Sequence, residues 1–311
     1  MSRSSGTASA SCPDLLIING EVLRPEHSAG PGLSLDEATV HFCGIDDLAF
    51  HVGTGRTSVR DVVSGQDLAD FGLIQIASYP RPTATLLSAV SAYLKHRGRP
   101  GPSMAAISAP TKLYQLVVLA QHGLPVPATV HLSRATLRDS YPQLVRELGL
   151  PFVLKAVNAS GGRLNFLIET EVDFLHRTED PAHTRVPFLA QAFVPNNGTF
   201  RVLVLGGDAA LVMHRCNTDG SHLTNTEQGH HATLFEVETF DVTALELAAR
   251  AASVLDCEIA GINMVQDRHT GEWFLLEVNA SPAIGSGAFA AEKTRAYASY
   301  LQARLAQAAS V

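Results

Sequence analysis

From residue 152 to residue 278 the chain repeats one pattern, an apolar run of strand length followed by a break rich in Gly, Asn, Asp or Pro. The runs cover residues 152–157, 164–168, 188–194, 200–205, 209–215, 260–266 and 273–278. Runs this short, bounded by turn formers, read as buried strands rather than helices. Gly206-Gly207-Asp208 between two of them is a hairpin signal. One run holds a charge: Lys155 stands inside FVLKAV, where a bare ammonium is costly unless an anion or hydrogen bonds answer it.

Helical segments precede, interrupt and follow the runs. Residues 83–97 place Leu86, Leu87, Val90, Tyr93 and Leu94 at helical spacing and close at Gly98. Another helix is read over 111–122, with Ser108 or Ala109 near its cap, Pro110 in its first turn and Gly123 at its end. Further helices are read over 139–148, 242–255 and 289–308. Upstream, residues 14–19 and 71–77 read as buried strands, and 38–50 as one or two more around a turn at 44–47. The chain therefore divides into a disordered N-terminus (1–12), a small α/β domain (13–102) and a larger domain (103–311).

At 311 residues, about two domains of roughly 150 are expected. Hydrophobic residues make up 46% of the chain and aromatics only 6%, so aliphatic side chains fill the interior and extensive disorder is excluded. The net charge of −7 argues against a general affinity for nucleic acid or an anionic membrane, though it permits a local cationic pocket. Cys12, Cys43, Cys216 and Cys257 show no C-x-x-C spacing, which argues against zinc or a disulfide framework. MSRSSGTASASC lacks the apolar core of a signal peptide, and no run approaches the ~20 residues of a membrane helix. The expected location is cytoplasmic.

Nineteen arginines accompany only four lysines, Lys95, Lys112, Lys155 and Lys293. Lys95 and Lys293 fall on polar helix faces. The other two stand where a compact ammonium has a use. Lys155 precedes Ser160-Gly161-Gly162, residues small enough for backbone N–H groups to approach a phosphate. In WFLLEVNASP (273–282), Glu277 and Asn279 project from the same side of a strand end, a carboxylate and an amide oxygen suited to a hard cation. No G-x-x-x-x-G-K-[ST] and no strand–G-x-G-x-x-G–helix is present, so P-loop and Rossmann readings fail.

From about residue 104 to 289, the ordered set of these segments resembles the ATP-grasp superfamily, most closely the RimK-type carboxylate–amine ligases that include the ribosomal-protein glutamate ligases. Residues 103–130 look like the segment that carries a phosphate-binding lysine, a helix and a Gly-x-Pro-x-Pro-x-Thr connection. The resemblance implies an α+β ATP-grasp fold with two subdomains whose antiparallel sheets enclose the nucleotide, a lid subdomain spanning about 130–192. It makes Lys112 and Lys155 the phosphate lysines, Ser160, Gly161 and Gly162 a closing loop, and Gln191, Ala192, Phe193 and Val194 the adenine hinge. It assigns Arg201, Arg215 and Asn225 to the transferring phosphate or acyl-phosphate, and Glu277 and Asn279 to the metal.

Two positions depart from the family pattern. Asn263 stands where the family usually has Asp, so one metal position offers an uncharged oxygen that binds Mg²⁺ more weakly. Ala192 stands where the hinge usually carries Glu.

The implied activity is ATP-dependent ligation of a carboxylate to an amine through an acyl-phosphate, releasing ADP and phosphate. Mg²⁺ would assist, with Mn²⁺ as an alternative cation. The expected substrates are an amino acid, a small peptide or a peptide-derived natural product, and homo-oligomers are frequent among resembling enzymes. Two alternatives share every ATP-site residue: a catalytically weakened nucleotide-binding module, which Asn263 and Ala192 motivate, and a kinase passing phosphate to a hydroxyl. His214, His222, His230 and His231 cluster in sequence with Cys216 but match no metal-ligand template, and are expected to be solvated or to face substrate.

Overall fold

Gly and Pro breaks keep each element short, because neither continues a helix or strand cheaply. The computed structural model describes residues 14–28, 32–36, 38–78, 84–99, 111–159, 163–216 and 231–309. The chain falls into two units. One comprises Met1–Ile107, Ile284–Ser286 and Ala290–Val311, the other Ser108–Ala283 and Gly287–Phe289.

In the first unit, β1 (Leu15–Ile18) is apolar at every position and wholly buried, as a strand covered on both faces must be. It is the centre of a parallel three-stranded sheet, flanked by β2 (Val40–Cys43) and a strand at Leu73–Ile76. Between them β3 (Leu48–Gly53) and β4 (Arg56–Asp61) pair as an antiparallel hairpin, and the Leu73–Ile76 strand is β5. Helix α1 (Ala84–His96) places Leu87, Val90, Tyr93 and Leu94 in a core with Leu16, Ile18 and Ile74. The apolar spacing over 83–97 predicts this face except at Leu86, which is exposed.

The second unit begins with α2 (Lys112–Gln121). Its cap is Thr111, whose Oγ1 accepts a hydrogen bond from the Tyr114 N–H at 3.2 Å. The helix therefore starts later than a cap at Ser108 or Ala109 predicts, and those residues and Pro110 lie outside the described residues. There follow β6 (Thr129–His131), α3 (Arg134–Leu137), α4 (Tyr141–Leu148), β7 (Phe152–Ala156), β8 (Asn165–Ile168), α5 (Glu171–Glu179) and β9 (Phe188–Ala192). The four strands form an antiparallel sheet in the order β6-β9-β7-β8. Strand alternation sends Phe152, Leu154 and Ala156 into a core with Leu144, Phe174 and Phe188, leaving Lys155 for the opposite face.

A second antiparallel sheet has the order β12-β11-β10-β13-β14. Its strands are β10 (Thr199–Leu205), β11 (Asp208–Cys216), β12 (His231–Phe235), β13 (Ile259–Gln266) and β14 (Trp273–Asn279), with α6 (Val242–Val254) between β12 and β13. The predicted Gly-Gly-Asp hairpin joins β10 to β11, with Gly206 and Gly207 at φ of 63° and 98°. Helix α6 presents Ala244, Ala248, Ala251 and Ala252 to one face of this sheet, packing with Val202, Ile262 and Met264. Helix α2 serves both sheets: Leu116 packs with Val157 and Leu189, and Leu119 joins the α6 core.

The chain closes with α7 (Ala290–Ala309), which groups with the first unit, whereas the sequence assigns it to the larger domain. Lys293 on this helix is not on a polar face. It is buried, and its Nζ donates to the Ser286 carbonyl at 2.6 Å. Among the described residues no helix is long and apolar enough to cross a membrane.

Candidate functional site

The β10–β13–β14 register builds the site. Arg201 lies opposite Asn263, and Asn263 opposite Glu277, so the three share one row across three strands and one face of the sheet. Leu203, Gly261 and Asn279 form the adjacent row on that face. Arg215 pairs with Thr199, two residues from Arg201, and projects on the same side. Opposite, Val202, Ile262 and Val278 bury themselves against α6. Period-two alternation therefore separates a polar face from a dry one.

Arg201 is the most constrained of these groups. Burial, then the neighbouring Arg215 charge, lower its pKa to about 10, with Glu277 pulling the other way. Its Nη2 is buried and has no hydrogen-bond partner among the described residues. A donor left in this state costs about 1–3 kcal/mol, which an anion bound there would recover. Room for the guanidinium comes from Gly261, where a Cβ would lie 2.7 Å from both Arg201 Nε and Nη2. The sequence does not reveal this requirement, because Gly261 sits in a strand interior and its need for smallness comes from another strand.

Lys112 is the first residue of α2, where the helix dipole disfavours a cation. It is held by Glu277, with Nζ 3.1 Å from Oε1, and by a hydrogen bond to the Ala159 carbonyl. Lys155 is buried, and desolvation lowers its pKa to about 8; Glu277 raises it and Lys112 lowers it. Its sensitivity to both residues places all three in one electrostatic field. Lys112, Lys155 and Arg201 thus gather near the Glu277 carboxylate, with Arg215 beside Arg201. That set of five carries a net positive charge and suits a polyanion.

The remaining predicted residues are distributed as follows. Gln191 is buried, and its Nε2 donates to Thr129 Oγ1 at 2.8 Å, joining β9 to β6. The Ala192 N–H donates to the Ala128 carbonyl at 2.8 Å. Phe193 and Val194 continue beyond the strand, and the Val194 carbonyl accepts from Asn196 Nδ2. Asn279 Oδ1 accepts the Ser281 N–H at 3.0 Å. Ser160, Gly161, Gly162, Asn225, His222 and His230 lie outside the described residues.

His214 is half-buried and lies on the face of the sheet away from Arg201 and Arg215. It stacks on Phe200 with ring centroids 4.3 Å apart, and its Nε2 is 3.1 Å from the Asn197 carbonyl. Burial lowers its pKa. Among the described residues no three His, Cys, Asp or Glu side chains are placed to hold a metal.

Two antiparallel sheets sharing one helix, with lysines on the helix and one sheet and arginines and a carboxylate on the other, describe an α/β protein with a polyanion site. Residues 109–294 match the RimK-like ATP-grasp domain, and the chain belongs to that family. It is 23% identical over 259 residues to beta-citrylglutamate synthase B of Danio rerio, covering 79% of this chain and 60% of that protein. It is 28% identical over 179 residues to the alpha-aminoadipate–LysW ligase LysX of Sulfolobus acidocaldarius, covering 55% of this chain and 61% of the relative. The chain thus spans about 60% of the length of these curated relatives. The fold matches the ATP-grasp ligase PsnB, solved with a minimal precursor, Mg and ADP, at a TM-score of 0.67 and 18% identity, covering 94% of this chain and 98% of that one.

Proposed function

We propose that the protein is an ATP-dependent carboxylate–amine ligase. The observation that carries this reading is the Arg201–Asn263–Glu277 row, with an unpartnered buried guanidinium nitrogen at one end and Lys112 at the other. Lys112 and Lys155 would hold the inner phosphates of ATP, and residues 191–194 would receive the adenine. Arg201 and Arg215 would bind the terminal phosphate.

A substrate carboxylate oxygen attacks the γ-phosphorus. An O–P bond forms, the bond to the bridging oxygen breaks, and ADP leaves with its electron pair. Positioning and charge neutralisation are what this transfer asks of a protein. The amine nitrogen then attacks the acyl carbon. Its C–N bond forms, the C–O bond to phosphate breaks, and the amine gives up a proton. Arg201 would stabilise the negative charge of the tetrahedral species as it had that of the phosphoryl group.

The donors at the β14 end fit Mg²⁺, a hard cation that takes one or two protein oxygens with substrate phosphates completing its shell. Glu277 and Asn279 would hold it and Asn263 would supply a further neutral oxygen; when bound it neutralises charge on the phosphates. With Lys112, Lys155 and Arg201 around it, Glu277 suits a cation that arrives with its polyanion.

The class of acid is an amino acid, small peptide or peptide-derived natural product. Family membership and the ligase relatives support ligation, and PsnB solved with the precursor peptide PsnA2 and AMPPNP supports a peptide among the candidates. The test is to incubate the protein with ATP, Mg²⁺ and candidate acid–amine pairs and follow ADP and condensation products by mass spectrometry. ADP with a new amide supports the proposal. A stable phosphorylated product makes the protein a kinase, and nucleotide binding without turnover makes it a binding module.

A further inference from the structure

Among the described residues strand β14 is the edge of its sheet, so one side of its backbone has no neighbouring strand there. At Val278 that side is nevertheless filled. The Gln115 Nε2 donates to the Val278 carbonyl at 2.8 Å, and the Val278 N–H donates to Gln115 Oε1 at 2.9 Å. A single side-chain amide thereby satisfies both peptide groups of one residue, as a paired strand would. Gln115 and Val278 are both buried, so the two bonds are shielded from water.

The position of this clasp matters more than its strength. Val278 lies between Glu277 and Asn279, whose side chains emerge on the face opposite its own. Holding its N–H and C=O holds the backbone from which both oxygen donors project. Gln115 is also three residues after Lys112, one turn along α2 and on the same side of the helix. One amide thus ties the helix that starts with a phosphate lysine to the strand that ends with the metal ligands. The Lys112–Glu277 separation of 3.1 Å is set across this junction.

We propose that Gln115 is a positioning residue that couples nucleotide binding to metal binding. It touches neither ligand, and it fixes the spacing between Lys112 and the Glu277–Asn279 pair so that one Mg·nucleotide fits both. This rests on the functional reading above. Without the clasp, the helix and the strand keep their own ligands and lose their common register.

The experiment uses the full chain and AMPPNP as probe. Calorimetry measures AMPPNP affinity in EDTA and in saturating Mg²⁺, giving the factor by which Mg²⁺ tightens binding. Gln115→Met keeps the side-chain length and removes both bonds. Gln115→Glu keeps the acceptor for the Val278 N–H and sets a carboxylate against its carbonyl, and it carries the test if the Met variant does not fold. The expected result is a Mg²⁺ enhancement at least about fivefold smaller than in wild type, with metal-free affinity changed less than about twofold. A lower melting temperature with an unchanged enhancement overturns the proposal, because a merely structural glutamine gives that pattern. Wild-type protein that binds no AMPPNP overturns the functional reading and this proposal with it, whereas wild type that binds beside an indistinguishable variant overturns this proposal alone.

Discussion

Gly261→Ala tests the site through a residue that need not touch a ligand. The added Cβ would stand 2.7 Å from Nε and Nη2 of Arg201 and 3.0 Å from its Cζ. Ordinary contact begins near 3.4 Å, so the guanidinium must retreat by roughly 0.7 Å or more. A charged hydrogen bond is worth about 1.5–3 kcal/mol, or about 10–150-fold in affinity, and a misplaced donor forfeits much of it. AMPPNP carries the terminal phosphate that Arg201 would hold and ADP does not. Calorimetry in saturating Mg²⁺ should show Gly261→Ala weakening AMPPNP by at least about tenfold and ADP by less than about threefold. Overpacking should also cost about 1–3 kcal/mol of stability. In an Arg201→Ala background the Cβ has no guanidinium to displace, and the selective loss should disappear. Equal losses for AMPPNP and ADP, or a selective loss that persists without Arg201, would show that Arg201 does not hold the terminal phosphate.

Lys155 links stability to pH. Its pKa in the fold is about 8, below the ordinary 10.5, so between those values the unfolded chain binds the extra proton. Stability should therefore rise from pH 8 toward 10.5 in thermal melts, relative to a Lys155→Met variant that lacks this increment, while AMPPNP affinity falls as the free protein's ammonium is neutralised. Lys155→Met should bind Mg·AMPPNP at least about tenfold more weakly yet melt no lower than wild type at pH 7, since it buries a thioether in place of a charge. A variant that melts lower and binds normally would contradict both statements. Asn263→Asp should lower the Mg²⁺ concentration needed for half-maximal AMPPNP binding, and an unchanged or raised requirement would place residue 263 outside the metal's shell.

Much of the architecture is legible in the sequence because apolar content tracks burial. Residues 152–157, 200–205 and 273–278 read as strands and form β7, β10 and β14. The segments that escape are those with too little buried surface to show a period. β4, RTSVRD, buries only Val59 and Asp61. α5, EVDFLHRTE, buries Phe174 and Thr178, and its strongest signal is the Thr170–Asp173 capping box rather than an apolar face. β6 is three residues inside a Pro-rich connection, made a strand only by its pairing with β9.

The site divides along a similar line. Lys155, Glu277 and Asn279 are visible because a charge or polar pair interrupts or ends an apolar run, and Lys112 because lysine is rare here. Gln115 and Gly261 are silent because their reasons lie elsewhere in the chain, at Val278 and Arg201. A polar residue on an amphipathic helix and a glycine in a strand have local explanations that sequence alone does not displace. His214 misleads in the opposite sense: three histidines follow it within seventeen residues, whereas its own ring stacks on Phe200.

The paired lysines and the Arg201–Glu277 row are proposed to hold a Mg·nucleoside triphosphate. Titrating AMPPNP with saturating Mg²⁺ into the wild-type protein and a Lys112→Ala/Lys155→Ala variant addresses this directly. One molecule should bind per chain in the wild type, with at least about a hundredfold loss in the variant, from two charged contacts removed together. No heat from the wild type, or equal affinity in the two proteins, would contradict the proposal.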